Sequence, residues 1–312
     1  MKKAKTTTVG ILTAAPWHHS IGDIATAECT VNYLSNHGIP AVSIAKPDNR
    51  YECLVIGGGN LLYGGRARPW ERLQSVFKEP GPHILNAVGV DLDSFHQIDW
   101  SFLKEFRLIS VRDNVLRDAL SREMPAREIF SVPCPATLVD PLPYRFVQQI
   151  PGLEGLKTLR AKSYVVLHRH PTVARFAAKM DHPTVIVDAQ VWERHPWTSS
   201  GYQLLPTHSP AVLQGVIASA RAVVSNSLHI CIFALAAGIP FVAIDSGERQ
   251  SRKVRCYMKR AGIPEVMFAH DRDDDPIAYA ESLHPLIRKA SQNERKSAEE
   301  HLENVANVIR SL

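Results

Sequence analysis

The sequence predicts an α/β protein of two Rossmann-like domains facing each other across a cleft, each built on a mostly parallel sheet. Three observations predict it. Apolar strand runs alternate with helical stretches through the first half of the chain. The alternation breaks between Pro133 and Gly155, where prolines at 133, 135, 141, 143 and 151 prevent regular structure and suit a linker. It resumes from Ser163, and its clearest unit runs from Val223 to Ile244. The break divides the chain into a first domain of residues 1–145 and a second of residues 146–312.

In chain order, Thr8–Thr13 reads as the first strand, and Ile24–Asn36 as a helix stopped by Gly38-Ile39-Pro40. Cys53–Ile56 is a short strand ended by Gly57-Gly58-Gly59, Ile84–Val88 another, and Leu108–Val111 a third that feeds the helix Asn114–Ser121. In the second half Tyr164–Leu167 and Thr184–Val187 are strands, with a helix near Thr172–Lys179 between them. A helix near Pro210–Ala220 precedes the strand from Val223, and another follows near Arg249–Ala261. From Ser291 to Leu312 charge lies on one face and Leu302, Val305, Val308 and Ile309 on the other, the pattern of an amphipathic closing helix.

Composition bounds the function. With 312 residues, 45% hydrophobic and 21% charged, the chain is long enough for two globular domains. The net charge of +5 comes without long Lys/Arg runs, which favours an anionic ligand or contact with an acidic membrane surface over a nucleic-acid groove. The five cysteines have wide spacing and no C-x-x-C pair, so neither a zinc cage nor a disulfide framework is indicated, and a reducing cytoplasm is the expected compartment. Apolar runs are too short for a membrane span.

Five places carry candidate chemistry. The strand from Val223 ends in Ser225, Asn226 and Ser227, and His229 falls in the first turn of the helix that follows. Backbone amides and the positive end of a helix dipole meet at such an edge, which suits an anion, and open parallel sheets bind ligands there. Ser20-Ile21-Gly22-Asp23 has capping-box spacing, but a carboxylate at that edge also suits a base for a sugar hydroxyl. Gly57-Gly58-Gly59-Asn60 matches neither G-x-G-x-x-G nor a P-loop, and reads as a loop that lets backbone approach a ligand. In Ser110-Val111-Arg112-Asp113, Asp113 suits a helix cap, while Arg112 either pairs with it or clamps an anion. His168-Arg169-His170 ends a strand; Arg169 suits a carboxylate or phosphate, and its charge makes the two histidines a poor metal site.

Gly22-Asp23, Ile56 to Leu61, Ser110 to Asp113 and Ser225 to Ile244 follow the order found in polysaccharide pyruvyl transferases, and the chain resembles that family from about Val9 to Gly262. The resemblance implies a GT-B-like fold and transfer of pyruvate from phosphoenolpyruvate onto a sugar, as a ketal on two hydroxyls. His229 matches the histidine of the family's Arg-Leu-His element and Arg169 an arginine opening the second domain, and Lys253 falls near a lysine that often follows the last strand. By that likeness phosphoenolpyruvate is expected on the second domain, held by Arg169, the Ser225–Ser227 stretch, Lys253 and Arg112, with His229 as acid. The acceptor, free or lipid-linked at the inner membrane, is expected on the first domain at Gly22, Gly57, Gly58, Gly59 and Asn60, with Asp23 as base. Phosphoenolpyruvate is a co-substrate, and no metal or other cofactor is called for.

Two departures stand out. Ser227 occupies the arginine position of Arg-Leu-His, and Cys134-Pro135-Ala136 replaces an Asp-Pro-Ala segment. Losing a charged donor to phosphate weakens binding by about 1.5 to 3 kcal/mol unless Arg252 or Lys253 compensates. Two other functions therefore stay in view: a GT-B glycosyltransferase using a nucleotide sugar or activated acidic sugar, and a non-catalytic glycan-binding protein.

Overall fold

The structure is a computed structural model that describes residues 8–13, 20–46, 50–58, 81–89, 95–96, 98–151, 153–168, 170–177, 181–188, 203–205, 209–245, 247 and 249–312. The chain divides into two compact units, one of residues 1–135 with 297–312, the other of residues 136–296.

In the first unit the elements are β1 (Val9–Leu12), α1 (Ile21–Asn36), β2 (Ala41–Ile44), β3 (Cys53–Gly57), β4 (Ile84–Val88), β5 (Leu108–Val111), α2 (Asn114–Glu123) and β6 (Phe130–Ser131). They form one parallel sheet in the order β2-β1-β3-β4-β5-β6. Successive side chains of a strand point to opposite faces, and here both faces are covered. Leu54 and Ile56 pack with Leu12, Leu85, Trp100, Phe106 and α2. Cys53 and Val55 pack on the other side with Val9, Ile11 and Leu34. Both faces being apolar, the strands read as continuous hydrophobic runs.

The second unit contains α3 (Tyr144–Val147), β7 (Val165–His168), α4 (Pro171–Ala177), β8 (Thr184–Val187), β9 (Gln203–Leu205), α5 (Pro210–Ala218), β10 (Ala222–Ser225), α6 (Leu228–Ala236), β11 (Phe241–Asp245), α7 (Arg249–Arg260), β12 (Met267–Ala269), α8 (Pro276–Ser282) and the start of α9 (His284–Arg310). Its parallel sheet runs β12-β11-β10-β7-β8-β9. The strand order reverses between β7 and β10 here, and between β1 and β3 in the first sheet. Such switch points open a crevice at the carboxyl ends of the strands.

One turn is used in both units. Gly38-Ile39-Pro40 ends α1 and Gly238-Ile239-Pro240 ends α6, with the glycines at φ +77 and +62. Ile39 N–H donates to Leu34 O and Ile239 N–H to Ala234 O, the six-to-one bond that closes a helix over a left-handed residue. The proline carbonyls then accept from Val9 and Val223, each at 2.9 Å, which sets the first rung of β1 and of β10.

The predicted fold class holds, and several boundaries shift. α1 begins at Ile21 rather than Ile24, which brings Asp23 into its first turn. Ser20 is the N-cap residue but its side chain makes no cap hydrogen bond, so the capping box read from Ser20 and Asp23 does not form. The short strands β2, β6, β9 and β12 escape the sequence pattern, because two to four residues are too few to display a period. The expected boundary after residue 145 also moves: the division falls after Pro135, and residues 297–312 join the first unit. Val305, Ala306 and Ile309 on α9 are buried beside Val9, Ile11 and Val55, and that burial brings the end of the chain back to the first sheet. Among the described residues no helix is long and apolar enough to cross a membrane.

Asp113 caps α2 as its position predicts, its carboxylate accepting the Leu116 N–H at 2.8 Å. Asp113→Ala is expected to cost about 1 kcal/mol and Asp113→Asn a few tenths, read as shifts in urea midpoint.

Candidate active site

A polar cluster of the second unit sits where its strand order reverses. His168 closes β7, and Asn226 follows β10. His168 Nδ1 lies 2.6 Å from Asn226 Oδ1, while Asn226 Nδ2 lies 2.8 Å from His170 Nδ1 and 3.0 Å from Thr172 Oγ1. The rings of His168 and His170 stack 5.9 Å apart at 12°. Beside them Ser225 accepts the Ser227 N–H at 2.9 Å through its hydroxyl, a side-chain turn that shapes the entry to α6. His229 is the second residue of α6, half-buried, with its Nε2 buried. At the end of β11, burial acts against the Asp245 carboxylate, but the Arg255 guanidinium and the Gly247 N–H outweigh it and hold its pKa below the usual range. Arg252 and Lys253 are half-buried in α7.

In the first unit the carboxyl edge gathers Asp23, Gly57, Gly58 and Arg112. Asp23 and Arg112 are each only 4% exposed. A Cβ on Gly57 would lie 2.4 Å from the Asn86 carbonyl, so the β3–β4 contact admits only glycine. Gly58 has φ +77 and would meet Thr26 of α1. The first two glycines are thus required by packing, whatever ligand this edge binds. Thr26 also donates to the Gly22 carbonyl at 2.9 Å and lies 3.3 Å from Cys134 Sγ, which sets the Cys134-Pro135-Ala136 segment against α1.

A buried histidine braces the same edge from below. His301 on α9 approaches Asn86 Oδ1 at 2.9 Å and Ser110 Oγ at 3.1 Å. Ser110 accepts the N–H of Ala87, which sits at φ +51 where β4 shifts register against β5. Burial pushes the His301 pKa down from 6.5 to about 4. Because the folded value is the lower one, its contribution to stability is fully present above pH 6.5 and is lost as pH falls toward 4. The shift corresponds to roughly 3 kcal/mol. His301→Gln is expected to flatten the acid limb of the stability curve between those pH values, measured by urea unfolding.

The sequence model of the polysaccharide pyruvyl transferase family matches residues 21–248. The chain belongs to that family. The match begins at the first turn of α1 and ends just after β11, so it takes in the carboxyl edges of both sheets. No curated protein is close enough in sequence to count as a match. Among solved structures, the UDP-GlcNAc 2-epimerase of Neisseria meningitidis is similar at 10% identity, TM-score 0.53, over 96% of this chain and 99% of that one. The UDP-GlcNAc 2-epimerase of Methanocaldococcus jannaschii gives 9% identity and TM-score 0.54 over 96% and 99%. The glycosyltransferase SnogD from Streptomyces nogalater gives 12% and 0.51 over 98% and 99%. At such identities the likeness establishes the fold, which is GT-B-like.

The residues expected from the sequence fare unevenly in this pyruvyl transferase fold. Arg169, Gly59 and Asn60 lie outside the described residues. Ser225, Asn226, Ser227 and His229 do come together at the second sheet's carboxyl edge, but the Ser227 amide is taken by Ser225, and the Asn226 side chain is engaged by His168, His170 and Thr172. The expected cradle of backbone amides over Ser225–Ser227 is therefore reduced. Asp113 takes the helix-cap role that its position suits, and Arg112, the other residue read there, is buried. Sequence reasoning missed His168 and Thr172 as functional candidates, because their place beside Asn226 follows from a strand order that the sequence does not display. Among the described residues no group of three or more His, Cys, Asp or Glu is placed to hold a metal ion. A cavity of about 580 Å³ bordered by Lys104, Phe106, Arg107 and Arg127 lies at the amino edge of the first sheet and includes none of the expected site residues.

Proposed function

We propose that this chain moves pyruvate from phosphoenolpyruvate onto hydroxyls of a glycan sugar during polysaccharide biosynthesis. The family match over residues 21–248, which includes the Ser227-Leu228-His229 element, carries the reading. The reaction needs a proton at C3 of the enol, which leaves C2 electron-poor. One sugar hydroxyl adds to C2, the C2–O bond to phosphate breaks, and the second hydroxyl closes the ketal. Two hydroxyl protons are released; C3 gains one and the departing phosphate the other. The charge at C2 is stabilised by the adjacent carboxylate and by the oxygen still bonded to that carbon, so the step does not call for a metal.

In this reading His229 is the acid toward C3 or the phosphate, and Asp23 takes a proton from the acceptor hydroxyl. Arg169 and Lys253, with Arg252 nearby on α7, supply the positive charge that Ser227 does not, and Arg112 of the first unit is a further anion-clamp residue in this reading. Gly22 and the Gly57–Asn60 loop receive the sugar. An acceptor carried on a lipid at the inner membrane surface fits the net charge of +5. Incubation with phosphoenolpyruvate and candidate glycans, followed by phosphate release and a pyruvyl mass gain, tests the assignment. Absence of both with every glycan, under conditions where phosphoenolpyruvate does not raise the melting temperature, overturns it.

Ser227 in the arginine position favours one further reading, a glycosyltransferase of the same fold that uses a nucleotide sugar. The donor that stabilises the protein separates the two, since a ligand at 100 times its Kd adds about 2.7 kcal/mol.

A further inference from the structure

We infer that Asn226 is a positioning residue that fixes His168 and His170 in opposite tautomers. The geometry decides which is which. Thr172 N–H points at His170 Nδ1 from 3.3 Å, and a backbone N–H can only donate, whereas the Thr172 hydroxyl, 2.9 Å from the same nitrogen, can take either role and so leaves the decision to the amide. His170 Nδ1 therefore carries a lone pair, and the ring's proton sits on Nε2. This makes His170 a side-chain cap for α4, whose Val173 and Ala174 amides also bond the His170 carbonyl at 2.9 and 3.1 Å.

That single fixed donor orients the asparagine. Facing an acceptor at 2.8 Å, Asn226 must present its NH₂ group to His170, and its second N–H then reaches Thr172 Oγ1 at 3.0 Å. Its carbonyl oxygen is left for His168, 2.6 Å from Nδ1, and a carbonyl can only accept. His168 Nδ1 must hold a proton, so the neutral ring keeps its lone pair on Nε2. The reverse orientation of the amide would set Nδ1–H of His170 against the Thr172 N–H. Asn226, only 1% exposed, thus reads the cap of α4 and passes the result across the switch point to the end of β7.

The outcome is a pair of stacked imidazoles, one with a basic Nε2 and one with an Nε2 proton donor, at the end of β7 and the start of α4. Any part they take in proton transfer rests on the pyruvyltransferase reading; their tautomers do not. In Asn226→Asp the carboxylate would still accept from His168, but would turn a second, now charged, acceptor toward His170 Nδ1 and draw a proton onto it at the expense of the Thr172 N–H bond.

Long-range ¹H–¹⁵N correlation of the ¹⁵N-labelled full chain, with the two rings assigned through His168→Gln and His170→Gln, reads the tautomers directly. The expected result is Nδ1–H for His168 and Nε2–H for His170 in the native protein. Asn226→Asp is expected to convert His170 to the doubly protonated cation at neutral pH, and Asn226→Ala to return His168 toward the Nε2–H form common in solution. A native His168 that carries its proton on Nε2, or rings unchanged in Asn226→Ala, overturns the inference. Should both variants fail to fold, the native spectrum alone decides. Tautomers as expected without pyruvyl transfer from phosphoenolpyruvate would count against the proposed reaction and leave this assignment standing.

Discussion

Glu294→Ala is expected to destabilise the second unit by about 3–5 kcal/mol. Glu294 on α9 accepts from Arg260 of α7 at 2.9 Å through Oε1 and again through Oε2, and its Oε2 also receives the Tyr257 hydroxyl at 3.2 Å. The two side chains are 8% and 6% exposed, and the guanidinium lies 4.4 Å over the Tyr257 ring. Two charges removed from water to this degree offset their desolvation chiefly through each other, with Tyr257 adding a hydroxyl and a ring face, so deleting the carboxylate leaves a buried cation beside a cavity. The Arg260→Met/Glu294→Leu double variant is expected to recover most of the loss, because matched apolar groups incur no desolvation of charge. Chemical denaturation of the three variants measures this, and a loss under 1 kcal/mol in Glu294→Ala would show that water reaches the pair. The consequence reaches the candidate site: this joint anchors the carboxyl end of α7, the helix that carries Arg252 and Lys253 and whose Arg255 holds Asp245.

The core of the fold was legible because burial on both faces leaves a plain mark. Val9–Leu12, Ile84–Val88 and Leu108–Val111 are apolar at nearly every position, and their shortness together with the helical stretches between them marks interior parallel strands. The two Gly-Ile-Pro stops were equally clear, since a left-handed residue followed by a proline can do little except end a helix. What escaped was set by partners distant in sequence. β12 owes its existence to β11, and the return of α9 to the first unit depends on the room left beside Val9 and Val55. The Gly57-Gly58 pair looked like a ligand loop, yet Asn86 and Thr26, 29 and 32 residues away, are what forbid a side chain there.

The candidate site was legible in position more than in role. A strand ending in small polar residues before a helix identifies the carboxyl edge, so Ser225, Asn226 and His229 were found together. Their division of labour was not readable, because a serine hydroxyl that closes its own turn and one that holds a ligand have the same sequence. His168 was passed over for the same reason. Only the fold shows that residue 168 and residue 226 are adjacent at a reversal of strand order, where hydrogen bonds between neighbouring strand ends can tie a site together.

His229→Ala is expected to lower kcat for pyruvyl transfer by about 10²- to 10⁴-fold, the usual contribution of a positioned acid or base. That range corresponds to roughly 2.7–5.5 kcal/mol of transition-state stabilisation. The argument starts at the backbone: Ser227 and Leu228 lead into α6, so residue 229 is held within the first turn, where the helix amides favour negative charge nearby. A phosphate or carboxylate bound at that edge favours the protonated ring, which suits an acid toward the enol carbon. Because protonation occurs in the transition state, KM for phosphoenolpyruvate should change much less than kcat. The alkaline limb of the kcat profile should disappear in the variant, since the acid that titrates there is gone. Unchanged melting temperature would show that packing around α6 survives the truncation. Native turnover in His229→Ala would remove the imidazole from the mechanism and shift the proton donor to another group at the second sheet's carboxyl edge, with His170 Nε2–H the first to examine.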